Sequence, residues 1–515
     1  MEMINSIFKS GCPDGYLQDQ SGLTGCAEGI AFVENARQAA DALLEAGRRG
    51  LAVTLQGART GINGGAVPLG GLIVNLTRMN GFVSFEWDEG ADTGSISVQA
   101  GVTLEQLERA LAAKSVDLSG FDERSRAQWA RYANSDTVLE FVPNPSEKTA
   151  TLGGMFACAA FGQRLGAGLF FEHVSGVEAV FADGTILNLG PDAAGDGRDL
   201  PTALLENAKA HGAPKKHPFE AGLTTGSGPV ALLCGSEGAL AIVTGLTLRL
   251  VAVRGQAHGV LIPFGSAAQI ADFWRAFYPG AQALADKPLL SADCFDPSCA
   301  LLVRQATDAR QADALPGFDA DGSGPVLLLQ LRTEREESLF DALELALSSM
   351  TAVGVADDRA TVASDSGQLS SMTGIRHRIV EAAYFLSAKQ NCPAADICVP
   401  EDGFDRIFSR LSIEMAGGSP LGFLMGDLLT GQISVRLLPQ NADEEAAAGA
   451  AYARWLEFWA AEGCACSGRY GVGRLKKRLF GALSKEQAQL ARRLRALADP
   501  KGALNPGVAA DESGE

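Results

Sequence analysis

The chain has 515 residues, of which 46% are hydrophobic and 20% charged, and this composition is typical of globular rather than disordered proteins. The length is sufficient for two or more domains with a large buried core. Acidic residues number 61 against 43 basic ones, and the net charge of −18 argues against nucleic acid or an anionic membrane surface as the main partner.

Strands and helices alternate over the first part of the chain. The apolar pattern within 30–50 predicts a short apolar run and then a helix that ends at Gly50. It further predicts a strand at 51–57, a glycine-dense turn at 58–71, strands at 72–79 and 95–102, and a helix at 103–114. Residues 118–140 are polar and aromatic without a clear period, and we interpret them as an insertion on the surface.

The middle of the chain predicts a hairpin, a loop and then a change of domain. Residues 174–190 alternate apolar and polar side chains around an Asp-Gly turn, which predicts a β-hairpin. Residues 190–228 predict a loop or insertion, and residues 230–253 predict a strand, a glycine turn, a short helix and a strand. From residue 254, strands alternate with amphipathic helices, which predicts a second α+β domain.

The cysteines and the N-terminus indicate the compartment. The ten cysteines are scattered, and no four of them have the spacing of a zinc or iron–sulfur site. Cys464 and Cys466 form a CxC pair, which we interpret as two ordinary thiols beside a strand. The sequence predicts neither a secretory signal nor a membrane span, so we expect a cytoplasmic protein that reaches a membrane only through a partner.

Three segments are rich in small residues. Residues 56–65 read QGARTGINGG and follow a predicted strand, so that successive backbone N–H groups could converge on an anion; a turn without a ligand is the alternative. Residues 143–162 read PNPSEKTATLGGMFACAAFG, and such a thin wall suits a flat ring or a phosphate. Residues 235–244 read GSEGALAIVT, which alone could be a simple turn.

Together, in this order, the three segments resemble the FAD-binding domain of the vanillyl-alcohol-oxidase/PCMH flavoproteins. The most similar branch contains the glycolate oxidase FAD subunit, D-lactate dehydrogenases and D-2-hydroxyglutarate dehydrogenase, with patterns like RGAGTGLSGGAVP, PDPSxxATIGGNVATNAGG and GSEGTLGIIT. The segment DPKGALNPG at 499–507 also matches that branch. The resemblance implies an α+β fold, with a two-subdomain PCMH-type FAD-binding domain, an α+β cap domain for the substrate, and a C-terminal tail that returns to the flavin.

The implied domain boundaries and cofactor follow from the same resemblance. The domains are an N-terminal extension at 1–27, the FAD-binding domain at 28–253, the cap domain at 254–460 and a C-terminal segment at 461–515. The cofactor is FAD, and we expect it to be noncovalent because Asn63 stands in the first loop with no histidine nearby. The residues implied to contact FAD are Gln56, Gly57, Ala58, Arg59, Thr60, Gly61, Asn63, Gly64, Gly65, Pro143, Thr151, Gly153, Gly154, Ala157, Cys158, Gly162, Glu237, Gly238, Ile242 and Asn505.

The chain departs from the branch at its metal-binding histidines. Metal-using members carry segments like GHxGDxNLHxN and SGEHGIG, whereas this chain has MGDLLTGQISVRLLP at 425–439 and SGRYGVG at 467–473. Asp427 and Ser434 stand near the positions of the two histidines, and Arg469 and Tyr470 replace the Glu-His pair. We therefore expect no metal.

An active site for a 2-hydroxy acid can still be assembled from other residues. The substrate carboxylate needs a cation, for which Arg376 and Arg469 are candidates. Tyr470 is the candidate base for the hydroxyl proton, and His377 is an alternative. A basic residue on a helix can equally be solvated or salt-bridged, and Tyr470 can be a stacking or core residue. Lys476 and Lys477 are interpreted as a surface charge pair.

The sequence thus predicts an FAD-dependent dehydrogenase for a small anionic 2-hydroxy acid, which passes electrons to an iron–sulfur or quinone-linked partner. Two alternatives stay open. One is a flavoprotein subunit of an electron-transfer complex whose substrate site has degenerated, which the lost histidines favour. The other is non-redox flavin chemistry similar to that of the alkyl-glycerone-phosphate synthases, for which the match around residues 471–474 is partial.

Overall fold

The computed structural model describes residues 8–160, 162, 168–190, 200–224, 228–306, 315–318, 324–387, 394–416 and 420–508. The chain forms two compact units. Unit 1 comprises Met1–Gly162, Gly168–Val253 and Gly468–Glu515, and unit 2 comprises Gln163–Ala167 and Arg254–Ser467. The chain therefore leaves unit 1 after Val253 and returns to it at Gly468.

A four-stranded sheet begins unit 1. Its strands, among the described residues, are β1 (Phe8–Ser10), β2 (Gly29–Phe32), β4 (Leu72–Asn75) and β3 (Val53–Gln56) in spatial order. The last three are parallel, and helix α1 (Ala36–Arg49) connects β2 to β3. The Asn35 side chain caps the start of α1, and Gly50 ends it with a φ of 67°, as the sequence predicts.

An antiparallel sheet of six described strands completes the scaffold of unit 1. Its main path runs β5 (Phe82–Asp88), β6 (Thr93–Gln99), β10 (Ile242–Ala252), β8 (Val174–Val180) and β9 (Ile186–Leu189), with β7 (Leu139–Glu140) paired to β10. Helix α2 (Leu104–Ala113) follows β6 and starts with a capping box between Thr103 and Gln106. The predicted β8–β9 hairpin is confirmed, with Gly184 in its turn at a φ of +84°.

Residues 118–140 are not the surface insertion that the sequence suggested. They contain helix α3 (Glu123–Ala133), and its Trp129 and Tyr132 are buried. The Trp129 ring contacts that of Phe85 with centroids 4.8 Å apart, and the Tyr132 hydroxyl donates a hydrogen bond of 2.8 Å to the Leu111 carbonyl. Two aromatic side chains spaced three residues apart are enough to give this helix one buried face. The prediction was wrong because most other residues of the segment are polar and hide that apolar period.

Two further predictions in unit 1 are corrected. Part of the supposed loop at 190–228 is helix α5 (Leu200–His211), which packs on helix α15 (Lys485–Ala498) near the C-terminus. The first predicted strand of 230–253 is instead helix α6 (Gly228–Leu233), with Pro229 in its first turn. A short, fully apolar run has no period that separates strand from helix, whereas proline is favoured in the first turn of a helix. Two short helices complete unit 1, namely α4 (Leu152–Ala157) and α14 (Lys477–Leu483).

Unit 2 is built on one antiparallel sheet, which confirms the predicted second α+β domain. Its eight described strands lie in the order β14 (Thr361–Val362), β11 (Gln256–Pro263), β13 (Val326–Thr333), β12 (Leu289–Phe295), β16 (Gly422–Asp427), β17 (Gln432–Leu437), β15 (Ala394–Cys398) and β18 (Ala465–Cys466). The described helices are α7 (Ala267–Ala283), α8 (Pro297–Ala306), α9 (Glu336–Ala352), α10 (Ser366–Thr373), α11 (Ile375–Ser387), α12 (Phe404–Met415) and α13 (Ala442–Ala461).

Helices α8 and α11 cover one face of this sheet. Phe295, Leu328 and Met425 of the strands pack there against Ile375 and Ile379 of α11. Burying side chains of this size contributes about 1.5–3 kcal/mol each, so the face is a stable platform for the polar groups beside it. Among the described residues, no helix has the length and apolarity needed to cross a bilayer.

Candidate functional site

The glycine loop, residues 57–71, follows β3 and has open space beside its backbone at two positions. A Cβ added at Gly61 would have one atom within 4 Å, Asp19 Oδ2 at 3.8 Å, and one at Gly65 would have the Cα of Gly473 at 3.9 Å. Gly57 differs, because a Cβ there would lie 2.2 Å from Thr151 Oγ1. The loop therefore combines close chain packing at its start with bare peptide groups further along, the arrangement that an anion needs.

Gln56 and Arg59 both contact Tyr16, which lies in the chain before β2. Gln56, at the end of β3, donates hydrogen bonds of 2.8 Å from Nε2 to the carbonyls of Tyr16 and Ala66. Arg59 lies with its guanidinium 4.3 Å from the centre of the Tyr16 ring, a cation–π contact. The remaining predicted loop residues, Ala58 and Thr60, are half-buried.

Asn63 ties the glycine loop to the C-terminal segment. Its Nδ2 donates hydrogen bonds of 3.0 Å to the carbonyls of Tyr470 and Gly471, and its own carbonyl accepts one of 2.7 Å from the Arg474 amide. The sequence analysis named Asn63 as a residue implied to contact FAD, but it did not predict the contact with the C-terminal segment. No local pattern could have identified this contact, because the partners are 407 residues apart.

Glu237 organises the turn that carries Tyr470. Oε1 of its buried carboxylate accepts hydrogen bonds of 2.8 and 2.9 Å from the amides of Val472 and Gly473. Tyr470 and Glu237 both have left-handed backbones, with φ of 64° and 52°. Backbone strain of this kind in non-glycine residues is typical of functional sites. The amide pair forms a small anion-binding nest that Glu237 fills.

Asn505 joins the C-terminal tail to the same site. Its Oδ1 accepts a hydrogen bond of 3.1 Å from the Leu55 amide in β3. Its Nδ2 donates to the carbonyl of Glu237 at 2.7 Å and to that of Gly65 at 3.3 Å. Asn505 therefore fixes β3, the glycine loop and the Glu237 turn relative to one another. Gly238, next in the turn, has a φ of +75°.

The second small-residue segment uses its glycines for close contact. Thr151 Oγ1 accepts a hydrogen bond of 3.3 Å from the Gly154 amide and so caps helix α4. A Cβ at Gly153 would lie 2.6 Å from the Ala100 Cβ, and one at Gly162 would lie 2.2 Å from the backbone of Asn144. These positions require glycine because another segment of the same chain lies directly against each of them.

The other predicted residues of this wall lie at its ends. Pro143 precedes Asn144, which forms a parallel bridge with Gly162. The Ala157 carbonyl accepts a hydrogen bond of 2.9 Å from the Glu237 amide. Ile242 begins β10 and is fully buried in the core below the four-stranded sheet.

Arg376 and His377 lie on helix α11 of unit 2. Arg376 is buried, and its Nη2 forms an ion pair with Oδ1 of the fully buried Asp293. Asp293 lies directly opposite Asp427 in the pairing of β12 with β16. His377 is half-buried. Of the two interpretations open for Arg376, the structure shows the salt bridge, with a partner that the sequence analysis missed.

Buried polar side chains on β15, β16 and β17 mark the positions near which related proteins carry histidine. Ser434 donates a hydrogen bond of 2.6 Å to Asp396 Oδ1, and Asp427 Oδ1 accepts one of 3.1 Å from the Thr430 amide. In the part of the chain that the structure describes, no group of three or more His, Cys, Asp or Glu side chains is arranged to hold a metal ion.

Comparison with known proteins decides the family. Residues 27–121 match the family model described as FAD binding domain, and residues 266–509 match that of FAD linked oxidases, C-terminal domain. The chain belongs to the PCMH-type FAD-linked oxidases. FAD is therefore its cofactor, and its activity is that of an FAD-linked oxidoreductase.

The curated relatives of this FAD-linked oxidase are distant but match over most of their length. A D-lactate dehydrogenase of Archaeoglobus fulgidus is 25% identical over 495 residues, which cover 93% of this chain and 91% of the relative. A mitochondrial D-2-hydroxyglutarate dehydrogenase of Bos taurus is 25% identical over 89% of this chain and 72% of its own. An uncharacterized FAD-linked oxidoreductase of Mycobacterium tuberculosis is 25% identical over 98% of this chain and 96% of its own length.

The residues of unit 1 fit the cofactor in one specific respect. Gln56 Oε1, Asn63 Oδ1 and Tyr470 Oη are buried and have no hydrogen-bond partner among the described residues. Buried polar groups are nearly always hydrogen-bonded in complete structures. Three such atoms on the glycine loop and the C-terminal segment therefore indicate a polar ligand there, and FAD supplies many donors and acceptors.

Cys158 lines a small cavity of the FAD-linked oxidase rather than acting as a reactive thiol. The cavity has a volume of about 50 Å³, and its wall includes Cys234, Phe171, Phe219 and Gly471. Burial, reinforced by the nearby carboxylate of Glu237, raises the pKa of Cys158, and burial raises the pKa of Cys234 to about 12. Both thiols are therefore protonated at neutral pH and poorly nucleophilic.

Lys476 corrects another prediction. It is fully buried, not part of a surface charge pair, and its Nζ donates a hydrogen bond of 2.6 Å to the Arg469 carbonyl. Lys477 beside it is half-buried. The prediction was wrong because adjacent lysines in a polar run resemble a solvated face, whereas a long aliphatic stem can lie in the core when its ammonium finds an acceptor.

Proposed function

We propose that this FAD-linked oxidase dehydrogenates a small 2-hydroxy acid, similar to D-lactate or glycolate, and passes the electrons to a partner protein. The names of the relatives support the substrate class. The observation that carries the proposal is the buried hydroxyl of Tyr470, which has no hydrogen-bond partner among the described residues and lies on a turn held by Asn63 and Glu237. FAD, when bound noncovalently, supplies at N5 an acceptor for the hydride that leaves C2 of the substrate.

Tyr470 is proposed as the base that takes the substrate hydroxyl proton on its Oη. Its left-handed backbone and the hydrogen bond from Asn63 to its carbonyl fix the direction in which the ring leaves the chain. A base held in this way contributes about 10²- to 10⁴-fold to the rate of proton transfer. The neighbouring Arg469 is buried and provides a positive charge that favours an anionic substrate. His377 is the alternative base.

Arg376 is proposed to bind the substrate carboxylate through its planar guanidinium. Its salt bridge to Asp293 holds the guanidinium in a fixed orientation. A bidentate contact with the substrate carboxylate would require such an orientation. The same salt bridge favours the second candidate function. If Asp293 satisfies Arg376 permanently, the protein is an electron-transfer flavoprotein subunit without its own hydroxy-acid substrate.

The electron acceptor is proposed to be a separate iron–sulfur or quinone-linked protein. The scattered cysteines of the sequence give no four-cysteine spacing for an iron–sulfur cluster in this chain. Two electrons from each turnover must therefore leave through contact with another redox protein or with a small acceptor.

The substitution Tyr470→Phe tests the proposed base. It removes one oxygen atom that has no hydrogen-bond partner among the described residues, so the stability of the apoprotein should stay unchanged, and the reduction rate is compared on protein reconstituted to full FAD content. We expect the rate of flavin reduction by substrate, measured by anaerobic stopped-flow absorbance, to fall by about a hundredfold or more. Tyr278→Phe, on helix α7 of unit 2, is the matched control. An unchanged reduction rate in Tyr470→Phe would exclude Tyr470 as the base.

A further inference from the structure

The chain before the FAD-binding match forms part of the same site. Residues 14–26, which we call the N-terminal floor, precede the region 27–121 that matches the FAD-binding family. The floor closes on itself through a hydrogen bond of 2.8 Å from the Gly25 amide to the Leu17 carbonyl and one of 3.0 Å from Gln18 Nε2 to Thr24 Oγ1. It is therefore an ordered turn with few apolar side chains, and its place in the fold must come from contacts with other segments.

Many of those contacts are with the glycine loop and with Gln56 at the end of the strand before it. Gln56 Nε2 donates a hydrogen bond to the Tyr16 carbonyl, and the Cys26 amide donates one of 3.2 Å to the Pro68 carbonyl. A Cβ added at Gly64 would lie 2.7 Å from the Leu23 side chain. The floor thus lies in direct contact with the loop, and Gly64 has no Cβ in part because Leu23 occupies that space.

Asp19 makes the polar contact at the centre of this interface. It is 6% exposed. Its Oδ1 accepts a hydrogen bond of 2.9 Å from the Ser21 amide within the floor, and its Oδ2 accepts one of 3.3 Å from the Ala66 amide of the loop. Oδ2 also lies 3.8 Å from the position of a Cβ at Gly61. One carboxylate therefore fixes both the floor and the loop.

Burial of a carboxylate at this position costs free energy, which indicates that the carboxylate has a function beyond folding. Burial raises the pKa of Asp19, and the positive charge of Arg474 acts in the opposite direction. The carboxylate is also close to a loop whose proposed ligand is the anionic pyrophosphate of FAD. A chain that needed only a folded turn here could use a neutral side chain, and it would avoid placing one negative charge near another.

We propose that Asp19 is a positioning residue of the FAD site, which holds the glycine loop in its binding conformation through the Ala66 amide. The proposal rests on the proposed role of residues 57–65 in contacting the pyrophosphate. By accepting the Ala66 N–H, Asp19 sets the direction of the loop peptides that are proposed to contact the ligand. The N-terminal floor then belongs to the cofactor site although it lies outside the family match.

The test compares Asp19→Ser with the control Asp117→Ser in the full-length protein, because exposed Asp117 accepts the Ser119 amide as Asp19 accepts that of Ser21. A serine hydroxyl can still cap the Ser21 amide in a local turn, but it is too short to reach the Ala66 amide. We expect Asp19→Ser to weaken FAD binding about tenfold, measured as the Kd of apoprotein titrated with FAD, because one buried N–H loses its acceptor. Asp117→Ser should bind FAD like the wild type.

Two further measurements separate positioning from charge and from folding. Asp19→Asn keeps a single acceptor oxygen, so the proposal expects weaker FAD binding, whereas tighter binding would show that the charge alone matters and would overturn it. Because the loop is proposed to contact the pyrophosphate, ADP, measured by competition with FAD, should lose affinity by the same factor. An unchanged ADP affinity, or a lower melting temperature of the Asp19→Ser apoprotein with an unchanged FAD Kd, would also overturn it. If the wild-type protein itself bound no FAD, the cofactor assignment would fail first, and the Asp19 proposal would fail with it.

Discussion

Substitution of Glu237 gives the most detailed prediction, because the contacts of its carboxylate are resolved atom by atom. Oε1 accepts the amides of both Val472 and Gly473, at 2.8 and 2.9 Å, while Oε2 is 3.1 Å from the second of them. In Glu237→Gln the amide oxygen can replace Oε1 in both bonds. The loss is then mainly that of the charge, and we expect a destabilisation of about 1 kcal/mol.

Truncation of the same side chain should cost much more. Glu237→Ala leaves two buried amides without their acceptor, and each unsatisfied donor costs about 1–3 kcal/mol, so we expect a total of about 2–6 kcal/mol. Alanine also keeps the left-handed backbone, whose φ is 52°. Glu237→Gly removes the carboxylate but relieves this backbone, and we expect it to be more stable than Glu237→Ala by about 1 kcal/mol.

Urea denaturation and FAD retention after gel filtration measure these differences. The expected order of stability is wild type, then Gln, then Gly, then Ala, with FAD content falling in the same order because the turn carries Tyr470. Glu178→Ala, on a strand of the same unit, offers a control for the loss of a glutamate. A glutamine variant as unstable as the alanine variant would refute the proposal that one acceptor oxygen is enough to hold the two amides. A glycine variant less stable than alanine would refute the role of backbone strain.

The remaining predictions concern one buried ion pair and one pH effect. Asp293→Asn should destabilise the protein by about 3 kcal/mol in chemical denaturation, because it removes the counter-charge of buried Arg376, and the double change Asp293→Leu with Arg376→Met should recover part of the loss. Burial lowers the pKa of His217 from its ordinary value of 6.5, and its Nδ1 accepts a hydrogen bond of 3.2 Å from the Phe219 amide. The folded state thus binds the proton less tightly than the unfolded state. Stability should therefore fall as the pH drops from about 7 to about 5, and His217→Asn should flatten that decline when unfolding is measured across the range.

Much of the fold was predictable because its signals are local. The helix that ends at Gly50, the β8–β9 hairpin and the change to a second α+β domain all follow from periodicity and turn residues within a few positions. The glycine loop was predictable for the same reason, since three separated motifs of small residues occur in the order that the flavoprotein family shows.

The parts that could not be predicted depend on contacts between distant residues. Asn63 and Tyr470 are 407 residues apart, and Arg376 and Asp293 are 83 apart, so no window of sequence contains both partners. Lys476 resembles a surface residue until the fold supplies an acceptor for its ammonium at the Arg469 carbonyl. Tertiary contacts decide these cases, and local propensity has no information about them.

The most direct test of the central claim is an anaerobic visible spectrum of the purified protein, recorded before and after addition of D- and L-2-hydroxy acids. If the protein is a 2-hydroxy-acid dehydrogenase, the flavin band of the bound FAD should bleach with one stereoisomer of one such acid. Flavin that bleaches with dithionite but with none of the acids would contradict the dehydrogenase proposal and favour the electron-transfer subunit.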